Sequence, residues 1–444
     1  MSADARTHFE AVHDDAVAAL QGDEVLLVNI SGETSDFVRF NHAAIRQAGS
    51  VRQAQLTCDL ILGRRHAEGS LTLSGDLATD RGRVRSLLAE LREIRSAVPD
   101  DPHLLYATEL DGSERRVEGD ALDAPDAIDA VLDGVAGKDL VGIYAAGETY
   151  RGFANSLGQR NWFSATTFNV DWSLYHQGDK ATKSGYAGTH WDPTTLSTKL
   201  DRSVAELDAL SRPVHPLPPG DHRTFLAPAA LNEIVDLIAW GGFGLRSHET
   251  TQTPFLRMIT DGVELHPTVS IAEDVGGGVS PDFQGGGFRR PGRVPLIDRG
   301  RYVGHLISPR SAMEYDVDTN GAEDEEYPVA ISVAGGDLPM GNALAALGEG
   351  LYVGNLWYLN YSDRAGCRTT GMTRFGTFWV EGGEIVAPID VLRFDDTVYS
   401  MLGDNLEALT SEVDTILDPS TYDQRSTDSS RLPGALLSQM RYTL

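Results

Sequence analysis

Apolar residues recur along this chain at two spacings, and these spacings predict helices mixed with strands. Steps of three and four residues predict amphipathic helices over residues 8–20, 81–94 and 195–210. Shorter apolar runs bounded by turn residues predict strands in the N-terminal half, over residues 25–30, 36–40, 55–62, 69–73 and 141–145. Helices combined with antiparallel strands predict an α+β fold.

A proline-rich segment near the middle of the chain predicts a domain boundary. Four prolines fall between Arg212 and Asp221, which excludes a helix and favours extended chain. We therefore predict an α/β N-terminal domain over residues 1–212, a linker over 213–221 and a β-rich C-terminal domain over 222–444.

The second half opens with the segment Leu226–Trp240, LAPAALNEIVDLIAW, whose apolar stripe predicts a buried helix. Further apolar runs predict strands over residues 268–271, 294–297, 302–306, 329–333, 351–361, 374–380, 385–388 and 391–394. Turns at Arg299–Gly300 and Gly382–Gly383 predict two hairpins. We also predict a helix over residues 397–417 and a mobile tail, rich in Asp and Ser, over 420–430.

The charge of the chain limits its partners. Asp and Glu number 65 against 37 Lys and Arg, a formal net charge of −28. Such a surface repels nucleic acid and anionic membranes, so we expect neither as a partner. Attraction of basic substrates is one interpretation of the excess. We favour a compositional habit instead, because net charge bears first on solubility and association. The chain has only four lysines, which are Lys138, Lys180, Lys183 and Lys199.

The termini and cysteines bear on the compartment. The N-terminus carries acids and histidines where a signal peptide needs a basic start and an apolar run. No uninterrupted apolar run of about 18 residues occurs, so we expect no membrane span. Cys58 and Cys367 are too few for a disulfide framework. We therefore expect a soluble cytoplasmic protein.

Several short motifs follow one another in an order that resembles the TldD/TldE (PmbA) metalloprotease family. No single motif is specific, and the ordered series carries the resemblance. The motifs are Arg39-Phe40-Asn41 with Gln47, Ile271–Asp274, Asp282–Gly285, Leu296–Gly300, Leu306–Ala312, Gly350–Val353 and Gly376–Ile385.

The resemblance implies an α/β N-terminal domain and a β-rich C-terminal domain. In that family a zinc-bearing TldD subunit pairs with a metal-free TldE subunit, and the cavity between them admits unfolded peptide. The zinc subunit is expected to use two histidines and a glutamate on one helix, H-E-x-x-x-H, together with a cysteine near its C-terminus.

The positions of this chain that correspond to the zinc motif are Asn232, Glu233 and Leu237. Zinc needs imidazole, thiolate or carboxylate ligands, so Leu237 cannot bind it and Asn232 offers only a weak neutral oxygen. Glu233 would have no metal-activated water to deprotonate. No cysteine follows Cys367. The chain therefore resembles the metal-free TldE subunit: we expect no catalytic residue and no cofactor here, and zinc in the partner.

Other residues are candidates for peptide contact or chemistry. His248 and Glu249 form half of an H-E motif, and Trp357 and Tyr358 lie on an aromatic strand. We predict all four as peptide contacts, because exposed aromatic strands often bind peptide or another subunit.

Two features keep an alternative open. Cys367 is flanked by Arg364 and Arg368, which could activate its thiol. The glycine-containing stretch from His176 to His190, with Asp171, Asp179 and Asp192 nearby, is predicted as a polar loop near the cavity. Its histidines fit no zinc spacing.

Our first functional hypothesis is a non-catalytic, TldE-like subunit that holds unfolded peptide for a zinc-bearing TldD-like chain. The second is an independent peptidase or peptide-modifying enzyme whose site has moved to Cys367 or to the His176–His190 segment. The third is a homodimeric peptide-binding protein.

Overall fold

The computed structural model describes residues 2–120, 123–178 and 180–444. In its N-terminal half, alternating apolar residues lie along very long strands. The helices of this half are α1 (Ser2–Ala18), α2 (Leu77–Ala97), α3 (Ala124–Gly134) and α4 (Pro193–Leu210). Its strands are β1 (Val25–Asn41), β2 (Ala44–Leu62), β3 (Arg65–Thr72), β4 (Ser113–Val117), β5 (Asp139–Asn155), β6 (Arg160–Gln177) and β7 (Lys180–Gly188). The sheet order is β3-β2-β1-β5-β6-β4, and β7 also pairs with β6.

The C-terminal half contains two further sheets. Its helices are α5 (Pro228–Ala239), α6 (Leu245–Glu249), α7 (Leu256–Thr260), α8 (Pro309–Tyr315) and α9 (Ala343–Leu347). Strands β9 (Ile271–Glu273), β10 (Val294–Asp298), β11 (Arg301–Tyr302), β12 (Ala330–Val333), β18 (Asp414–Leu417) and β19 (Ser429–Leu432) form one sheet. The other sheet contains β8 (Gly220–Leu226), β13 (Gly350–Asp363), β14 (Arg368–Glu381), β15 (Glu384–Pro388), β16 (Arg393–Thr397), β17 (Leu406–Leu409) and β20 (Ala435–Tyr442).

This architecture confirms the predicted α+β class. Both predicted hairpins are present: β10 and β11 turn at Arg299–Gly300, and β14 and β15 turn at Gly382–Gly383. Gly382 and Gly383 both have positive φ, which a type I′ turn requires at its two central positions. Within the part of the chain that the structure describes, every helix is too short or too polar to cross a bilayer.

The predicted helix over residues 397–417 is wrong. Its apolar residues have helical spacing, but the chain leaves helical geometry at Gly403, where φ is −114° and ψ is −105°. Beyond that point Leu406 and Leu409 pair with β20, and residues 414–417 pair with β19. Strand partners from distant sequence therefore override a local helical pattern.

The prediction of a mobile tail over residues 420–430 is also wrong, because this segment packs against the N-terminal sheet. Arg425 is only 6% exposed, and its guanidinium donates to the Thr167 hydroxyl at 2.6 Å and to the Gly147 carbonyl at 3.3 Å. Burial lowers the pKa of Arg425 to about 10, and the nearby buried carboxylate of Glu33 opposes that shift. The end of the segment, from Ser429, belongs to β19.

A second contact between the two halves comes from Arg115 on β4. Its guanidinium donates to the carbonyl oxygens of Ser280 at 2.5 Å and Gly278 at 2.8 Å. The same loop region is tied to β1 by the Asn29 amide, which donates to the Gly285 carbonyl at 3.0 Å. The N-terminal sheet and the C-terminal loops therefore share a polar interface as well as an apolar core.

Arg425→Ala is expected to lower the free energy of unfolding by roughly 2–4 kcal/mol, because it leaves buried hydrogen-bond acceptors unpaired and removes a cation near Glu33. Urea unfolding measures the effect. Arg39→Ala, at an exposed arginine of β1, is the matched control and should change stability by less than about 0.5 kcal/mol. Equal losses in both variants would contradict a special role for the buried arginine.

Candidate functional site

Helix α5 is fixed at its start by the strand before it. β8 pairs in parallel with β13, and the Ala227 amide donates to the Val353 carbonyl at 3.0 Å. Pro228 then occupies the first turn of the helix, where its missing N–H costs nothing. One face of α5 is buried in the core through Leu231, Ile234, Val235, Leu237 and Ile238. Asn232 and Glu233 point away from that core.

The other face of α5 borders a cleft of about 250 Å³ between the two halves of the chain. β6, β7 and α4 contribute one wall, and α5, β13 and β18 contribute the other. Its polar and charged lining residues are Asn169, Asp171, Lys183, Ser184, Tyr186, Lys199, Arg202, Ser203, Glu206, Asn232, Glu233, Tyr352, Asn355, Asp414 and Thr415.

Two ion pairs line this cleft, one within a wall and one between the two walls. The Lys183 ammonium lies 3.2 Å from a carboxylate oxygen of Asp171, and the Lys199 ammonium lies 2.6 Å from Asp414. The second pair joins α4 of the N-terminal half to β18 of the C-terminal half. Burial raises the pKa of Asp171, and Lys183 opposes the shift. These pairs brace the cleft and leave the two lysines already neutralised.

Glu206 is the most buried acid of the cleft. The residue is 7% exposed, and burial raises the pKa of its carboxyl to about 7, although Arg202 and the Tyr352 hydroxyl both favour the ionised form. The pKa of Tyr352 is raised by burial and by the Glu206 charge. Arg202 itself has no ion pair among the described residues. The cleft therefore contains an acid that changes charge near neutral pH.

Two acceptors on the opposite wall have no partner among the described residues. Glu233 makes no hydrogen bond or ion pair there, and burial, followed by the charge of Asp236, raises the pKa of its carboxyl. Lys183 opposes that shift, which places the ammonium in the electrostatic neighbourhood of α5. The Asn355 side-chain oxygen is buried and also lacks a donor.

The described residues of this cleft do not match the ligands that zinc requires. Zinc sites take histidine, cysteine or carboxylate ligands, usually three or four. The described lining contains neither histidine nor cysteine. Leu237, the third position of the degenerate motif, is 9% exposed and belongs to the core face of α5. Across the described residues, no group of three or more histidines, cysteines and acids is placed to hold a metal.

A row of stacked cationic and aromatic side chains leads from the cleft to the surface. Lys183 lies 5.9 Å from the centre of the Phe375 ring, and the Arg374 guanidinium lies 5.0 Å from the same ring. Arg374 also covers Trp357 at 4.0 Å, and Trp357 contacts Tyr358 at 5.7 Å. Trp357 and Tyr358 are 51% and 74% exposed. Neither of these two predicted contacts lines the cleft, but this row of side chains connects both to Lys183 in its wall.

His248 and Glu249 lie in a different environment. The His248 ring packs 4.3 Å from His305 and 5.9 Å from Tyr302, centre to centre. Burial, followed by the neighbouring His248, lowers the pKa of His305 to about 4. Neither His248 nor Glu249 lines the cleft. Of the four predicted peptide contacts, His248 therefore packs with Tyr302 and His305, whereas Trp357 packs with Tyr358 and Arg374.

The environment of Cys367 disfavours a reactive thiol. Cys367 lies in the turn between β13 and β14 and is 0% exposed. Burial raises the pKa of its thiol to about 12, and Arg364 opposes this shift too weakly to cancel it. A nucleophilic cysteine needs the opposite shift and access to substrate.

The segment from His176 to His190 is a strand hairpin, so its prediction as a loop is wrong. β7 pairs with β6 from Gln177 and Lys180 at the tip to Phe168 and Gly188 at the base. The two histidines lie at opposite ends of this ladder, roughly 30 Å apart at about 3.3 Å per residue. Asp171 pairs with Lys183, Asp192 caps α4, and Asp179 lies outside the described residues.

Sequence reasoning missed the cleft residues contributed by the N-terminal half. A signal was available, because three of the four lysines lie between residues 180 and 199 and two of them, Lys183 and Lys199, line the cleft. Glu206 gave no such signal. It is an ordinary polar position on α4 in the sequence, and only the packing of strands from both halves of the chain against that helix buries it.

Comparisons with known proteins agree with this architecture. Residues 219–443 match the model of the PmbA/TldA metallopeptidase C-terminal domain. The fold is similar to the crystal structure of TldE from Thermococcus kodakarensis, with a TM-score of 0.78 and 13% identity over 98% of this chain and 100% of that one. Comparison with curated proteins gave no match.

Two further structures share the fold. A Thermotoga maritima protein described as a candidate modulator of a DNA gyrase superposes with a TM-score of 0.75 and 12% identity, over 98% of this chain and 100% of that one. A Bacteroides thetaiotaomicron protein of the same description superposes with a TM-score of 0.73 and 14% identity, over 99% of this chain and 98% of that one. At these identities the likeness concerns the fold alone.

The domain match, which spans more than half of the chain, defines a metallopeptidase-like protein. The chain belongs to the PmbA/TldD family, which confirms the prediction from the ordered motifs.

Glu206→Gln is expected to remove a pH dependence of stability. The carboxyl has a pKa of about 7 when folded against an ordinary 4.5. The folded chain therefore binds the extra proton between these values, and the stability due to Glu206 falls as pH rises through that window. The variant should gain roughly 2–3 kcal/mol relative to the wild type between about pH 4.5 and pH 7.5.

Urea unfolding of both proteins across this range measures the difference. Glu90→Gln, at an exposed position of α2, is the matched control and should track the wild type. A constant difference between Glu206→Gln and the wild type at every pH would show that Glu206 does not titrate within the window.

Proposed function

We propose that this chain is the non-catalytic, TldE-like subunit of a two-subunit zinc metalloprotease. It completes the peptide-binding cavity and holds an unfolded peptide in extended form, while a zinc-bearing TldD-like subunit cuts. The observation that carries the proposal is the position of Asn232 and Glu233. They line an open cleft on the helix where the family's zinc subunit has its ligands, whereas Leu237 belongs to the core.

The core explains why α5 remains a helix without metal ligands. Its apolar face packs with Leu226, Leu351 and neighbouring side chains of two sheets, so burial of that face holds the helix in place. The exposed face is then free to carry other groups. A cleft retained next to an incomplete zinc motif supports a binding role over a cutting role.

The edge of β13 supports a role in holding extended peptide. β8 pairs with β13 only from Leu351 to Val353, and β8 then gives way to α5. Gly354 and Asn355 follow at once and line the cleft. An unpaired strand edge accepts a peptide through main-chain hydrogen bonds, which tolerate many sequences. Trp357 and Tyr358 lie farther along the same strand and could cover such a peptide.

Co-expression with a zinc-bearing TldD-like chain from the same genome is expected to give a stable complex on size exclusion. Its zinc content should match that partner, and peptidase activity on an unfolded peptide should appear only in the complex. The chain purified alone should carry only trace zinc and no activity. Stoichiometric metal or activity in the chain alone would favour an independent enzyme, and a peptide-binding homodimer that ignores the partner would favour the third hypothesis.

Trp357→Ala is expected to raise the KM of the complex for an unfolded peptide about tenfold and to leave kcat nearly unchanged, because it removes a contact that binds substrate and transition state equally. Tyr422→Ala is the control, since Tyr422 is an aromatic residue that is 86% exposed and lies outside the row of side chains that connects Trp357 to Lys183. A loss of kcat with unchanged KM in Trp357→Ala would contradict a holding role.

A further inference from the structure

The described part of the cleft contains hydrogen-bond acceptors that have no donor. Glu233 has no donor among the described residues, and the Asn355 side-chain oxygen is buried without one. The buried Asn355 oxygen costs free energy while it remains unpaired, and the half-buried Glu233 carboxylate is open to a donor. An occupant that brings N–H donors is therefore favoured over one that brings acceptors. The lysines do not meet this demand, because Lys183 and Lys199 already pair with Asp171 and Asp414.

The charges of the cleft are unbalanced in the same direction. Four carboxylates face three cations, and after the two ion pairs are set aside, Glu206 and Glu233 remain against Arg202 alone. The charged groups are Asp171 from β6, Lys183 from β7, Lys199, Arg202 and Glu206 from α4, Glu233 from α5 and Asp414 from β18. Burial raises the pKa of both unpaired glutamates, so they bear their charge at a cost that a bound cation would offset.

We propose that the cleft selects a cationic group of the bound peptide, with the Glu233 carboxylate as the residue that determines this specificity and the Asn355 oxygen as a second acceptor. The inference rests on the proposed function in taking the occupant to be a peptide. Lysine and arginine side chains and a free N-terminal ammonium share the required chemistry, since each combines positive charge with several N–H donors.

The size and surroundings of the cleft agree with such an occupant. A volume of about 250 Å³ lies below the range of about 300–1,000 Å³ typical of sites for drug-sized ligands, so it suits one or two residues of a longer peptide. The nearby rings of Phe375 and Trp357 already bear Lys183 and Arg374, so the acceptors of the cleft, and not these rings, are the partners for a bound cation. The formal net charge of −28 would also attract basic peptides, so a test must separate the cleft from the general field.

The experiment measures binding of unstructured, fluorescently labelled peptides of identical length to the full chain by anisotropy. The peptides carry Arg, Lys, Gln or Glu at one central position with an acetylated N-terminus, and a fifth peptide carries Gln with a free N-terminus. We expect the Arg or Lys peptide, or the free N-terminus, to bind about tenfold more tightly than the acetylated Gln peptide. The peptides that bind more tightly show whether the cleft takes an arginine side chain, a lysine side chain or a free N-terminal ammonium.

Glu233→Gln is expected to abolish this preference and to leave binding of the acetylated Gln peptide within about twofold, because it removes the charge and keeps the shape. Glu90→Gln changes the net charge equally but lies on α2, outside the cleft, and should retain the preference. Thermal melts of both variants check that they fold. Lowering the pH from about 8 to about 5 should weaken the preference in the wild type, because the Glu206 carboxyl, whose pKa is about 7, loses its charge.

Equal binding of the charged and neutral peptides overturns this inference and leaves the proposed function intact. A preference that survives in Glu233→Gln and weakens equally in Glu90→Gln also overturns it, since the general field would then be the cause. Failure to bind any peptide, together with failure to form a complex with the zinc-bearing chain, removes the proposed function itself.

Discussion

The burial of one face of α5 is the constraint on which the rest of the site depends. Leu231, Ile234, Val235 and Ile238 are each at most 1% exposed, and β8 fixes where the helix begins. Because apolar packing holds this helix, the residues of its opposite face are not needed to keep it in place. Asn232 and Glu233 lie on that opposite face and line the cleft.

The cleft itself is a product of both halves of the chain. The Lys199–Asp414 pair joins α4 to β18, and residues near Arg425 bind the C-terminal segment to the N-terminal sheet. These contacts bring β7 and α4 to face α5 and β13. The same packing buries Glu206 and leaves Glu233 without a donor. The contacts that form the cleft therefore also determine its electrostatics. A binding site made between domains follows the usual location of ligand pockets.

Much of the fold followed from local pattern. The helices α2 and α4, both hairpins and the order of the family motifs could be predicted because each depends on neighbouring residues. Only the start of β5 was predicted, and β6 and β7 were missed, since glycines and polar residues interrupt the apolar pattern of these strands. The helix predicted over residues 397–417 failed for the complementary reason. There the local spacing was helical, but pairing with β20 and β19 lowered the free energy further.

The sequence by itself determined that α5 is a helix with an apolar stripe, because this follows from the order of residues in one short segment. It also showed that the chain has few lysines and many acids. Only the tertiary structure decided that Glu206 from α4 and Lys183 from β7 lie in the same cleft as Glu233. These residues are far apart in the chain, and their charges interact strongly only when folding brings them together and burial removes the water between them.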